Sequence, residues 1–201
     1  MTNARVGAVL LAAGRSSRMG GPNKLLARFG GVPLVRRSAE RLAGSGAAPL
    51  VVVVGHQAPA VREALDGLGL ELVDNPDFAS GIASSLRAGI GAMPDDIDGA
   101  LVALADMPEV TSADYRRLIA VFRAHGGRAV VRASADGRRG NPVILPRSLL
   151  ARIGEIEGDT GARRLIETSG LEIVDVELGA AARIDVDTPA ALAAAGGKVA
   201  G

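Results

Sequence analysis

Short runs of β-branched and aliphatic residues alternate along this chain with longer stretches whose apolar positions recur every three or four residues. The short runs predict strands over residues 6–12, 50–54, 70–73, 100–105, 128–133, 142–145 and 171–176. Several are apolar at consecutive rather than alternate positions, the pattern of parallel strands covered by helices on both faces. A helical pattern follows Pro33, a residue tolerated in a first turn, with Val35, Ser38, Ala39 and Leu42 at helical spacing. Another follows Thr111, a natural N-cap. There Tyr115, Leu118, Ile119 and Phe122 make one apolar stripe, and Asp114 complements the positive end of the helix. The alternation predicts an α/β fold of three layers around an open, mostly parallel, doubly wound sheet. In such folds ligands bind beyond the carboxyl ends of the strands, so the residues after each strand carry the functional reading.

At 201 residues the chain fits one domain spanning 1–201, without internal repeat or linker. No apolar run approaches the roughly 20 residues of a membrane span. The run at 6–12 is too short for the apolar region of a secretion signal and reads as a first core strand. The chain has no cysteine, which excludes disulfides and thiolate metal sites and fits a reducing cytoplasm. Net charge is +1 with both signs interspersed, and there are one Tyr, three Phe and no Trp. A nucleic-acid binder would show a basic stripe with stacking aromatics, so that class is set aside. Positive charge is almost all arginine. The only lysines are Lys24 and Lys198, which singles out Lys24.

The first predicted strand runs into Ala12-Ala13-Gly14-Arg15-Ser16-Ser17-Arg18-Met19-Gly20-Gly21-Pro22-Asn23-Lys24. Glycines let backbone N–H groups ring an anion, the serines donate hydroxyl hydrogen bonds, and Arg15, Arg18 and Lys24 supply positive charge. The spacing is not that of a Walker A loop, because the glycines stand one residue too far apart and no hydroxyl follows the lysine. Nor is it a dinucleotide fingerprint, which needs a second glycine two residues after Gly14. The pattern points to a polyphosphate cradle of another kind.

These residues, Leu11-Ala-Ala-Gly-Arg-Ser-Ser-Arg-Met-Gly with Lys24-Leu-Leu, resemble the signature of the MobA-like nucleotidyltransferases, and within them the molybdenum cofactor cytidylyltransferase branch. The resemblance implies a nucleotide-diphospho-sugar transferase type of fold. It also implies that Ala12 to Ser17 and Gly20 wrap the phosphates of an NTP, with Arg18 and Lys24 neutralising charge as pyrophosphate leaves. The Ala12-Ala13-Gly14 start resembles the cytidylyltransferase branch rather than the guanylyltransferase branch, which implies CTP over GTP.

Asp106-Met107-Pro108 ends another predicted strand, where a carboxylate can face a metal or cap the turn. The resemblance identifies it as a catalytic and metal-binding aspartate. In Ile184-Asp185-Val186-Asp187-Thr188-Pro189, alternation puts Asp185 and Asp187 on one face, and Thr188-Pro189 opens a last helix. By analogy with the wider superfamily Asp187 is the second ligand for Mg²⁺. Asn75 and the stretch Gly81-Ile-Ala-Ser84-Ser85 match the next family segment, whose helix start offers N–H groups and hydroxyls to the nucleotide. The resemblance puts Gly55, after the second strand, near the base. Two further segments, Arg138-Arg139-Gly140-Asn141 and Gly158-Asp159-Thr160-Gly161-Ala162-Arg163, resemble elements on the pterin-binding side; alone, each also reads as an ordinary turn.

The resemblance therefore implies a magnesium-dependent enzyme, monomeric or weakly homo-oligomeric, that joins CMP from CTP to the terminal phosphate of molybdopterin and releases pyrophosphate. A molybdenum hydroxylase would receive the product. Competing readings are transfer to a sugar, polyol or small-acid phosphate, reduction of a pterin or pigment, and non-catalytic carriage of the cofactor.

Overall fold

The computed structural model describes residues 4–199. In chain order the regular elements begin with β1 (Val6–Ala12), β2 (Arg28–Phe29), β3 (Val32–Pro33), α1 (Leu34–Ala43), β4 (Leu50–Val54), α2 (Ala58–Leu65) and β5 (Glu71–Asp74). They continue with α3 (Ile82–Gly91), β6 (Gly99–Leu104), α4 (Ser112–Ala124), β7 (Val130–Ala135), β8 (Arg138–Pro146), α5 (Arg147–Leu150) and α6 (Arg163–Glu167). Last come β9 (Ile173–Glu177), α7 (Pro189–Ala194) and β10 (Gly197–Lys198).

Seven strands form one sheet in the order β5-β4-β1-β6-β8-β7-β9. β1 pairs in parallel with β4 and β6, β4 with β5, and β7 with β9; β8 alone runs antiparallel to its neighbours. The fold is thus the α/β, mostly parallel sheet that the alternation predicts. On one face, Leu10, Val52, Val54, Leu101 and Ala103 pack under Leu42 of α1, Val61 of α2 and Phe122 of α4. On the other, Val9, Leu11, Val51, Val53 and Val102 pack under Leu86 and Ile90 of α3 and Leu165 of α6. Every residue of β1 is buried, which explains its unbroken apolar sequence. The α4 stripe is core as expected: Tyr115, Leu118, Ile119 and Phe122 are all buried. Thr111 and Asp114 cap the helix reciprocally.

Two features depart from the sequence pattern. The segment from Arg138 to Asn141, legible as a turn before a strand, is itself the first half of β8, paired to β7 across Asp136 and Gly137. Both turn residues have positive φ, 52° and 70°, as an Asp-Gly hairpin turn requires. The second is a three-stranded antiparallel sheet, β10-β2-β3. It covers a small apolar cluster of Met19, Ala27, Phe29, Leu34, Val186 and Leu192.

Candidate active site

Three loops converge at the carboxyl ends of β1 and β6. The first leaves β1 and makes two 3₁₀ turns, Ser17–Met19 and Lys24–Leu26. Gly20 and Gly21 stand between them at φ of +73° and +132°, which a side chain would strain. The Ser16 hydroxyl accepts the Lys24 backbone N–H at 3.2 Å and donates to Asn23 Oδ1 at 3.3 Å; Asn23 in turn caps the second turn through Leu25 N–H. Ser16 is therefore engaged inside the loop. Met19 is inserted in the apolar cluster that also holds Val186.

The second loop carries Asp106. It is held from behind by α1: Ser38 Oγ donates to the Ala105 carbonyl at 2.9 Å, and the Arg41 guanidinium donates to the carbonyls of Pro108 and, at 3.0 Å, Val110. The third loop contains Asp185 and Asp187. Between them, buried Val186 gives its N–H to the Asp106 carbonyl at 3.0 Å, stitching the two acidic loops together.

Lys24 completes the junction. Its ammonium donates to Asp106 Oδ2 at 2.5 Å and to Asp187 Oδ1, while Arg18 reaches across to Asp187 Oδ2. Burial alone would pull the Lys24 pKa down, but the two carboxylates outweigh it and raise it. Loss of hydration works against the Asp187 charge too, yet Lys24 and Arg18 hold its pKa below the usual carboxylate range. Asp185 is pushed up, by partial desolvation first and then by the neighbouring charges of Asp187 and Asp106.

The other oxygen of Asp106, Oδ1, is buried without a hydrogen-bond partner in the protein. Two carboxylates that already clasp one cation, with an unpartnered oxygen beside them, fit a hard divalent ion. Among the described residues no cluster of three or more acidic, histidine or cysteine side chains could cage a metal by itself. A divalent ion held by two carboxylates would take its remaining ligands from substrate and water.

A cavity of about 390 Å³ is lined by Ala13, Gly14, Arg15, Ser17 and Lys24 of the first loop together with Phe78, Gly81, Ser85 and Asp106. The remaining residues singled out from sequence stand around it. Ala12 is buried in β1, and Gly20 turns the loop outside the cavity. A Cβ on Gly55 would meet Phe78 and Ala13 at 2.7 and 2.9 Å, so that glycine lets the Phe78 wall close. Asn75 and Ser84 form a buried network: Asn75 Nδ2 donates to Ser84 and Ser85 Oγ at 2.9 Å each, and Ser84 is further tied to backbone carbonyls. They brace Ser85, which faces the cavity.

A second cavity, of about 350 Å³, holds Asn141, Thr160 and Gly161, and shares Leu11, Ile82, Leu104 and Asp159 with the first. The loop before α6 is docked on α3, where Ala83 N–H donates to the Gly158 carbonyl at 3.0 Å. Phe78, Arg132 and Glu167 line these cavities without having been marked by sequence. Glu167 stands four residues after Arg163, which in sequence reads only as an exposed helical ion pair.

The chain is similar to known proteins in both sequence and fold. The chain is 33% identical over 160 residues to nicotine blue oxidoreductase of Paenarthrobacter nicotinovorans, covering 77% of this chain and 78% of that protein. It is 38% identical over 125 residues to the bifunctional protein GlmU of Kineococcus radiotolerans, covering 61% of this chain but only 25% of that protein. Among solved structures, Rv0371c from Mycobacterium tuberculosis H37Rv superposes with a TM-score of 0.84 at 25% identity, covering 96% of this chain and 98% of that one. A manganese complex of Rv0371c gives 0.81 at 23% identity, over 96% and 98%. Residues 8–174 match the model of the MobA-like NTP transferase domain, and the chain belongs to that nucleotidyltransferase family.

Proposed function

We propose that the protein transfers CMP from CTP to the terminal phosphate of molybdopterin, releasing pyrophosphate and forming a cytosine dinucleotide. The observation that carries this reading is the junction of Lys24 with Asp106 and Asp187, the first two of which line a cavity walled by the first loop. CTP would lie in that cavity, its phosphates against Arg15, Ser17 and the loop amides. The acceptor would enter from the second cavity, and the shared residues Leu11, Ile82 and Leu104 mark the boundary where the two reactants meet.

An oxygen of the acceptor phosphate attacks the α-phosphorus in line, the bond to the β-phosphate bridging oxygen breaks, and pyrophosphate departs with the electron pair. The attacking oxygen is already anionic near neutral pH, so no general base is needed. Alignment and charge neutralisation do the work, as in phosphoryl transfer generally. Mg²⁺ held by Asp106 and Asp187 would supply Lewis-acid polarisation of the α-phosphate. Lys24, exchanging its carboxylate partners for phosphate oxygens, stabilises charge on the departing pyrophosphate together with Arg18. Support for a divalent ion comes from the two carboxylates and the unpartnered Asp106 Oδ1. One catalytic unit over 1–201, acting in the cytoplasm and handing its product to a molybdenum hydroxylase, completes the proposal.

The test is pyrophosphate release from CTP, GTP and ATP with molybdopterin and Mg²⁺. Turnover with CTP at least about tenfold above the other two is expected; none with any nucleotide would refute it. A pigment or pterin reductase is the second reading, favoured by the similarity to nicotine blue oxidoreductase. Oxidation of NADPH by an oxidised pterin, without pyrophosphate release, would establish it instead.

A further inference from the structure

The second cavity is two-sided. Leu11, Ile82, Leu86, Val102, Leu104 and Val143 give it an apolar lining, whereas Arg132, Arg139 and Arg163 place three guanidinium groups along it. Arg132 is consumed by a bidentate pair with Asp175, at 2.8 and 3.1 Å. Arg139 of β8 and Arg163 of α6 differ. Both donate to the same oxygen of Glu167, Oε1, at 2.7 and 2.9 Å, and that is the one carboxylate either of them pairs with among the described residues. Two forked cations sharing a single carboxylate oxygen keep most of their donors free. Neither arginine lines the nucleotide cavity; the residues common to both cavities are apolar except Asp159.

Resting on the reading that this cavity takes the acceptor, we propose that Arg139 and Arg163, gathered by Glu167, form an anion-recognition site distinct from the transfer centre. It selects acceptors that carry a second anionic group, carboxylate or oxyanion, on an apolar ring body. The reacting phosphate lies at the Leu11–Leu104 boundary, and the second anion displaces Glu167 from the two guanidinium groups. Glu167 is then a positioning residue, which keeps like charges together in the empty site and competes with the ligand in the filled one.

Pterin-6-carboxylate and unsubstituted pterin, both fluorescent, serve as probes of the nucleotide-free protein. We expect the carboxylate to bind about tenfold tighter or more, as a charge-assisted forked contact implies. That preference should collapse to within about twofold in the R139A/R163A double variant with an unchanged unfolding temperature. Arg128→Ala, which removes an exposed arginine elsewhere, should leave it intact. Glu167→Gln should strengthen carboxylate binding severalfold, whereas an ion pair with a purely structural role would lose stability without moving the preference. Equal binding of the two probes, no binding of either, or a preference that survives the double variant would overturn the proposal. Pyrophosphate release with molybdopterin is a separate readout. Its absence beside a clear carboxylate preference would refute the acceptor's identity and leave the anion site standing.

Discussion

The Lys24 ammonium lies 2.5 Å from Oδ2 of Asp106, and it bonds Asp187 as well, so one cation from the first loop closes two acidic loops. The side chains are only 10% and 17% exposed for Lys24 and Asp106, and 20% for Asp187. Removing the lysine leaves facing carboxylates without their cation. A fully buried pair broken this way loses about 3–5 kcal/mol, and partial exposure here reduces that figure. Lys24→Ala should therefore melt earlier than wild type in EDTA and recover much of the difference in Mg²⁺. Its kcat should fall roughly 10²–10³-fold. A melting temperature insensitive to both the substitution and the metal would show that the junction holds no charge worth compensating.

Asp106→Asn preserves the shape of the turn and removes the charge. Turnover and its stimulation by Mg²⁺ should disappear together, measured as pyrophosphate release across a metal titration. Mg²⁺-stimulated activity that persists would return Asp106 to a role in turn capping.

Ser38 lies on α1, outside both cavities, yet its hydroxyl holds the Ala105 carbonyl beside Asp106. Ser38→Ala leaves a buried acceptor unsatisfied, at a cost of about 1–3 kcal/mol. Denaturant unfolding should show that loss. Kinetics should show kcat falling more than the KM for CTP changes, because the carboxylate is displaced while the first loop is not.

Gly81 has a φ of +110°, and a Cβ there would lie 2.5 Å from the Gly158 backbone. Both strain and collision fall on the contact between α3 and the loop before α6. Gly81→Ala should be destabilised by about 1–3 kcal/mol and should weaken binding of nucleotide and acceptor alike. Gly91→Ala, at the end of the same helix with open space around its Cβ, is the control and should retain wild-type binding of both.

How much of this was legible depended on where each signal resides. β1 and β4 read correctly from sequence because burial on both faces leaves an unbroken aliphatic run. The start of β8 did not, because Arg138, Arg139, Gly140 and Asn141 form a polar stretch in which one end of a strand is solvated. The Asp136-Gly137 dipeptide was the available clue. The two-residue strands of the small sheet are too short to carry any period. In the site, the loop's glycines and cations stood out through composition alone, and several of them line a cavity. Asn75 and Ser84 looked equally chemical, and only packing shows their polar groups spent on one another.

The sequence by itself determined most of the elements of the main sheet and its helices, the glycine- and cation-rich character of the first loop, and the aspartate after β6, since each is a matter of residues near one another in the chain. Only the tertiary structure decided that Lys24 meets Asp106, 82 residues away, and Asp187, 163 away. The parallel pairing of β1 beside β6 brings the first two loops to the same end of the sheet. The burial of Met19 with Val186 in one apolar cluster brings the third. Local spacing does not encode that meeting, because it follows from hydrophobic contacts between segments that share no period.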